Sequence, residues 1–572
     1  MPANSRVSRR GGRAELAVDA VAAEVFDERR KRIAARTRGL ISPQRIIDCV
    51  QAATTRDLED GFRIEREAFL ECRESPQSDG LRHAFFAERK VGNVPELDRD
   101  TPTRRIGSIA IVGAGTMGVG IAHCCLSAGC NVLLLDKAAD GVQRGAQAVR
   151  DLFAEGVRRG KVREDAAEAA LSRLAAGTDL DALADVDLVI EAVFEDLAIK
   201  KNIFARLGRI CQHGAVLATN TSTLDVDAIA AASQRPADVI GLHFFSPAHL
   251  MRLLEIVRGR ETSQEVLATA LALAKMLGKT GVVVGNCFGF VGNRMLYSYG
   301  RENQLLLLEG APPQQVDRAL YDWGMAMGPN AVGDLAGLDV GYKARQQRID
   351  RPDDPRFYRI ADLLVENGRL GRKTGRGMYR YDGEDGTPQP DPEVQQLIDE
   401  EAARLGISRR EIDDREIVER CIYGLVTEGA RILEEGIATR ASDIDVIWIN
   451  GYGFPRHRGG PMHWTRTGSA WPTSITRCAN LPSVSANATG SHRRCWSGWR
   501  KTADDSTISA TDRARLIHER STSAEAKACP GRAFQGRCEH VRVRAPGSTS
   551  CSHGPEKPSP GHTSASCLRA VQ

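Results

Sequence analysis

The sequence predicts a doubly wound α/β domain over residues 104–286, followed by two copies of an all-α unit over 287–385 and 386–464. Three observations lead there. A glycine turn, "GAGTMG" (Gly113 to Gly118), joins an apolar strand to an amphipathic helix. Further apolar runs of strand length follow at regular spacing, with helical stretches between the earlier ones. Beyond Asn286 the strand pattern stops, and one helical stretch returns later in the chain.

From Arg104 onward, "IGSIAIVGAGTMGVGIAHCCLSAGCNVLLLDKA" reads as strand, turn, helix and strand. Gly113 permits the tight turn, and Gly115 lets the backbone approach a pyrophosphate. Gly118 lets helix and strand pack closely, while Thr116 and Met117 open the helix whose N-terminus faces the phosphates. Asp136 ends the second strand at roughly the 20-residue offset that places a carboxylate on the ribose hydroxyls. A carboxylate there repels a 2′-phosphate, so NAD is expected rather than NADP. The turn alone is weak; strand, helix, second strand and terminal Asp together describe a Rossmann-type domain.

The later strands are "DLVIEAVF", "AVLATNTS", "DVIGLHFF", "LLEIVRG" and "GVVVGN". Polar residues gather where they end: Glu195, then Asn220 and Ser222, then His243. Ligands of such sheets bind outside the carboxyl ends of the strands. Glu255, inside an apolar run, is costly to bury without a partner, and His243 is the nearest candidate. The bland reading is a core pair that tethers two strands. Beside a nucleotide turn, an imidazole backed by a carboxylate suits a general base better.

In the helical region, "NRMLYSYGRENQLLLLEGAPPQQVDRAL" has a partner in "ERCIYGLVTEGARILEEGIATRASDIDVI". Aligning Asn293 with Glu419 also brings Arg294 onto Arg420, Glu309 onto Glu435, Gly310 onto Gly436 and Asp317 onto Asp443. Only the first copy carries the asparagine.

Composition removes several other functions. With 42% hydrophobic and 27% charged residues the chain resembles an ordinary soluble protein, and no apolar run approaches a membrane span. From Thr465 to Gln572, 16 Lys and Arg stand against 7 Asp and Glu, a net +9 that leaves −5 of the overall +4 for the body. The body therefore shows no nucleic-acid footprint. The basic N-terminus lacks a signal-peptide core. The cysteines outside the tail have no paired spacing, so a reduced, cytoplasmic chain without a metal site is expected.

"GAGTMG", "VIEAVFEDLAIKK", "ATNTSTL", "HFFSPAHLMRLLEIV" and "FGFVGNRM" occur in the order and spacing of L-3-hydroxyacyl-CoA dehydrogenases. The "HFFSP" form most resembles the dehydrogenase half of multifunctional fatty-acid β-oxidation enzymes, and the match runs from about Arg104 to Trp464. The resemblance implies His243 as general base, Glu255 as its orienting partner, and Ser222 and Asn293 at the substrate oxygen. It also implies Glu195 and Lys200 near the nicotinamide ribose and Asn220 beside the nicotinamide. Ser246 stands where many monofunctional relatives have Asn. The two helical units correspond to the family's C-terminal domain, duplicated in fused members, with "GYGFPRHRGGPM" as the second unit's marker.

Residues 1–103 resemble the helical segment that joins an enoyl-CoA hydratase/isomerase domain to the dehydrogenase. The hydratase core is missing, so no hydratase activity and a truncated start are expected. Glu67 and Glu71 read as a solvated helix face. Residues 465–572 read as an aberrant, disordered tail, most simply a frameshift product, with a polyanion-binding tail as the rival reading. The second helical unit is accordingly expected to be incomplete. The expected function is NAD-dependent oxidation of a fatty acyl-CoA substrate, with a thiolase or hydratase of the same pathway as partner. The alternatives are another enzyme on this scaffold, or a non-catalytic or damaged NAD-binding remnant that binds cofactor without turnover.

Overall fold

The computed structural model describes residues 22–346, 352–383 and 386–467. The basic N-terminus and the tail beyond Thr467, with the expectation of a frameshift, lie outside the described residues.

Eight strands form one sheet: β1 (Ser108–Val112), β2 (Asn131–Leu135), β3 (Leu174–Gly177), β4 (Leu188–Glu191), β5 (Val216–Thr219), β6 (Val239–Phe244), β7 (Leu253–Arg258) and β8 (Thr280–Gly285). Their order is β3-β2-β1-β4-β5-β6-β7-β8, and the first six follow the dinucleotide-binding order. Strands β1 to β6 pair in parallel, as their helical crossovers require. The connection 245–252 is too short for a crossover, so β7 returns antiparallel to β6. This reversal sets His243 directly opposite Glu255. The edge strand β3 has no sequence signal of its own, because "LAAG" lacks β-branched and aromatic residues; pairing with β2 draws it into the sheet.

Both faces of the sheet are covered. Helices Thr116–Ser127, Ala139–Arg158 and Gln264–Met276 bury Ile121, Leu126, Val149, Phe153 and Leu273 on one side. Phe204 and Leu207 of helix Leu197–Ile210, and Ile229 of helix Val226–Ala232, fill the other.

Beyond the sheet, helices Gly292–Glu309 and Asp414–Glu434 pack against each other as the centres of the two repeated units. Residues that the repeat aligns become partners across the contact. Arg294 binds Glu435 at 2.5 and 2.7 Å and Glu428 at 2.7 Å. Reciprocally, Arg420 binds Glu309 at 2.6 and 3.0 Å and Glu302 at 3.2 Å. This is the self-complementary pattern of a two-fold interface, folded into one chain.

The ungapped alignment fails past Gly436. Asp317 caps the Pro329–Ala336 helix through Asn330 and Ala331 N–H groups at 2.9 Å, whereas Asp443 is held by Arg440. The structural counterpart of Asp317 is Asp445, which accepts from Met462 N–H at 2.7 Å, so the second copy has a longer turn before it. A two-residue antiparallel pair, Tyr379–Arg380 with Gln389–Pro390, also interrupts the all-α expectation.

The N-terminal segment forms helices Ala23–Ala34, Ser42–Thr55, Leu58–Glu74 and Pro76–Lys90. Glu67 and Glu71 face solvent and pair with Arg63 and Arg45, as expected of a solvated face. The last helix docks on the second helical unit through His83–Asp445 at 2.9 Å and the Glu88–Arg456 pair at 2.5 and 2.7 Å.

Candidate active site

The carboxyl ends of β1, β4, β5 and β6 converge on one edge of the sheet, and the polar residues singled out by sequence meet there. His243 Nδ1 lies 2.8 Å from Glu255 Oε2, with His243 only 6% exposed and Glu255 fully buried. The other oxygen of Glu255 accepts the Gly292 N–H at 2.9 Å. That amide opens a helix, whose positive end stabilises the buried carboxylate. Gly289 and Phe290 take positive φ values of 71° and 49°, which turn the chain into this helix start. The rings of Phe245 and Phe290 lie 4.4 and 5.6 Å from the imidazole, keeping its surroundings apolar.

The next residue of that helix, Asn293, reaches back to the sheet. Its Nδ2 donates to the Ser222 carbonyl at 3.4 Å, and its Oδ1 accepts from Tyr452 at 2.8 Å. Asn220 Oδ1 accepts from the Phe244 N–H at 2.9 Å, locking the β5 end to the β6 end beside His243. One hydrogen-bonded chain thus connects His243, Glu255, the Gly292–Asn293 helix start and Ser222.

Ser222 continues the chain to Glu195. One oxygen of Glu195 accepts from Thr221 Oγ1 at 2.7 Å, Ser222 N–H at 2.7 Å, Ser222 Oγ at 3.0 Å and Thr223 N–H at 3.0 Å. Burial pushes the Glu195 carboxyl up, but the Lys200 charge and these donors outweigh it and hold the group below the usual carboxylate range. Lys200 itself is 1% exposed, with its ammonium 2.7 Å from Glu191 and 3.4 Å from Glu195. It is therefore a buried counter-charge beneath the site.

Glu191 is a residue that sequence reasoning missed. It is fully buried and also accepts from Thr219 Oγ1 and the Val193 N–H at 2.7 and 2.8 Å. The signal was present, since an acidic residue ending the apolar run "DLVIE" raises the question Glu255 raised. Tyr452 is the second omission, inside a motif read only as a shaped loop.

The glycine turn separates into internal and external reasons for glycine. A Cβ at Gly113 would meet the backbone of Ala192, and one at Gly118 the backbone of Gly113. A Cβ at Gly115 would meet nothing within 4 Å, so packing within the protein does not explain that glycine. Gly115 and Thr116 are exposed and Met117 half-buried at the start of the Thr116–Ser127 helix. Asp136 accepts the Ala114 N–H at 3.0 Å, tying the second strand's end to the turn. Open space over Gly115, a helix start without a side-chain cap and an adjacent carboxylate fit a dinucleotide.

Sheet order, glycine turn and a carboxylate-backed imidazole at the strand ends define an NAD-binding dehydrogenase fold. The comparisons narrow the class. The family model "3-hydroxyacyl-CoA dehydrogenase, NAD binding domain" matches residues 108–287, and "3-hydroxyacyl-CoA dehydrogenase, C-terminal domain" matches 289–381. The dehydrogenase part of multifunctional enzyme 1 from C. elegans superimposes with a TM-score of 0.53 at 31% identity, covering 73% of this chain and 99% of that one. The peroxisomal bifunctional enzyme of Danio rerio is 43% identical over 458 residues, 77% of this chain and 63% of its own length. The peroxisomal fatty acid beta-oxidation multifunctional protein of Oryza sativa is 37% identical, over 71% of this chain and 57% of its own length. The chain belongs to the 3-hydroxyacyl-CoA dehydrogenase family, and spans less than two thirds of these two relatives.

The same relatives correct one expectation. A cytoplasmic setting was inferred from reduced cysteines and the lack of a signal-peptide core, yet both are peroxisomal proteins. Neither feature separates the two compartments, because a peroxisomal address is a short receptor-read tag that leaves no trace in composition. Among the described residues no helix is long and apolar enough to cross a membrane.

Proposed function

We propose that the chain oxidises an L-3-hydroxyacyl-CoA to the 3-ketoacyl-CoA with NAD, in peroxisomal fatty-acid β-oxidation, and that His243 is the general base. The observation that carries this reading is the His243–Glu255 pair at 2.8 Å, linked through Gly292 and Asn293 to Ser222 at the strand ends.

When bound, NAD supplies the ring that accepts the hydride. Gly113, Gly115, Thr116, Met117 and Gly118 would hold its pyrophosphate, Asp136 its adenosine ribose, and Glu195 and Asn220 its nicotinamide side. With Nδ1 engaged by Glu255, Nε2 is the nitrogen left to take the 3-hydroxyl proton, and the carboxylate stabilises the imidazolium that forms. Ser222 and Asn293 orient the substrate oxygen. Lys200 acts indirectly, by holding Glu195 ionised and in place. A hydratase would supply the substrate and a thiolase consume the product.

The test is NADH formation from L-3-hydroxyacyl-CoAs of several chain lengths. His243→Ala is expected to lower kcat by about 10²- to 10⁴-fold, the usual worth of a positioned base. NAD binding, measured by calorimetry, should survive the substitution. Undiminished turnover in His243→Ala would remove the assignment.

A further inference from the structure

The second helical unit holds no counterpart of Asn293, yet one of its side chains reaches the site. Tyr452 directs its hydroxyl to Asn293 Oδ1 at 2.8 Å, leaving the amide nitrogen to donate to the Ser222 carbonyl. Its ring lies against Gly292, where any Cβ would collide with the phenol. The ring also stacks on Trp448 at 4.6 Å and meets Phe245 edge-on at 5.5 Å, and Phe245 in turn packs on His243.

The surrounding loop is built to deliver this side chain. Gly451 has no room for a Cβ against Leu253, the first residue of β7. Gly453 takes a φ of 68° and lies close to Ala326, so a side chain there would be strained and crowded. Burial, with the Glu255 charge nearby, holds the phenol well above its usual range, so the hydroxyl remains a donor.

We propose that Tyr452 is a positioning residue through which the second helical unit completes the first unit's site. Its hydroxyl anchors the Asn293 amide at Oδ1, opposite the Ser222 carbonyl, and its ring seats the Gly292 N–H on Glu255. An amide has two near-isosteric orientations: the Ser222 carbonyl, which can only accept, takes the Nδ2 side, and the Tyr452 hydroxyl satisfies the Oδ1 left facing it. The proposal rests on the dehydrogenase reading for its kinetic consequence but not for its structural one.

Two measurements on the full chain separate these. Tyr452→Phe keeps the ring and removes the hydroxyl. It is expected to lower kcat about tenfold, the effect of one lost hydrogen bond, with the KM for NAD and the thermal midpoint close to the parent's. In an Asn293→Ala background the same substitution should add nothing. Equal losses in both backgrounds, or parental kcat in Tyr452→Phe, overturn the proposal. Tyr452→Ala should also speed amide hydrogen exchange in the peptide containing Gly292, a readout that needs no turnover. Unchanged exchange there overturns the seating role. If the parent chain shows no turnover while exchange responds as expected, the dehydrogenase reading fails and the seating role stands.

Discussion

Asn293 in the first helical unit and Glu419 in the second occupy matching places, each one residue before an arginine that crosses to the other unit. Asn293 faces the sheet and reaches Ser222, while Glu419 pairs along its own helix with Arg415 at 2.8 Å. The crossing arginines keep the same set of partners, and the residue beside them differs. The repeat therefore keeps the interface in both copies and places a side chain against the sheet's strand ends in one. The other copy supplies support, including the phenol that meets Asn293.

The comparison breaks most visibly at its ion pairs, which are equal in pattern and unequal in burial. Arg420 is 5% exposed between Glu302 at 0% and Glu309 at 21%, whereas Arg294 is 19% exposed between the matching Glu428 at 11% and Glu435 at 49%. Removing one partner of a buried pair leaves an uncompensated charge, so Arg420→Ala should cost about 3–5 kcal/mol in denaturant unfolding. Arg294→Ala should cost roughly half as much, because water takes over part of the solvation of Glu435 and Glu428 keeps Arg431 at 3.1 Å. Equal losses would mean that pattern, and not burial, sets the strength of the interface.

A smaller free energy but a sharper contrast is expected in activity. Asn293→Ala should lower kcat by about 10²-fold, the scale of losing one preorganised polar group at a reacting oxygen. Glu419→Ala should leave kcat within about twofold of the parent, as for most helix-surface changes. Comparable losses from both would show that the second unit does more than support the first.

These contrasts also mark what the sequence could disclose. Strands β1, β2 and β4 to β8 announce themselves as apolar runs, and the glycine turn and His243–Glu255 spacing are local enough to place the imidazole and its carboxylate partner. The strand β3 is held by its neighbour and has no pattern of its own. For Lys200 the motif offers a place near the cofactor, and only tertiary packing reveals that its ammonium binds Glu191 and Glu195. Tyr452 lies 159 residues from Asn293, and no periodicity connects positions that meet only after two helical units have packed. The shift from Asp443 to Asp445 is of the same kind, because a longer turn is absorbed locally and shows only when each carboxylate is seen capping its helix.

The smallest effect expected is a pH dependence contributed by one histidine of the second unit. His463 is pushed down to about 4, first by burial and then by the neighbouring His83, whose ring stacks on it at 4.0 Å; Asp79, at 3.0 Å, opposes the shift. The unfolded chain, with a histidine near 6.5, then binds more protons than the folded one between those values. Stability is full above about 6.5 and is lost as pH falls toward 4. Asp317, pushed up to about 6 by burial, and Asp445, also raised, act in the opposite sense, losing stability as pH rises. His123, pushed down to about 4 by burial in the sheet domain, acts in the same sense as His463. All three groups are retained in a His463→Gln protein, so the contributions of His123 and Asp317 cancel when it is compared with the parent, and that of Asp445 largely does. Between pH 7 and 5 the thermal midpoint of the parent should fall further than that of His463→Gln. Loss of the Asp79 contact would displace the whole curve without changing its slope, so parallel curves would show that His463 carries no proton linkage.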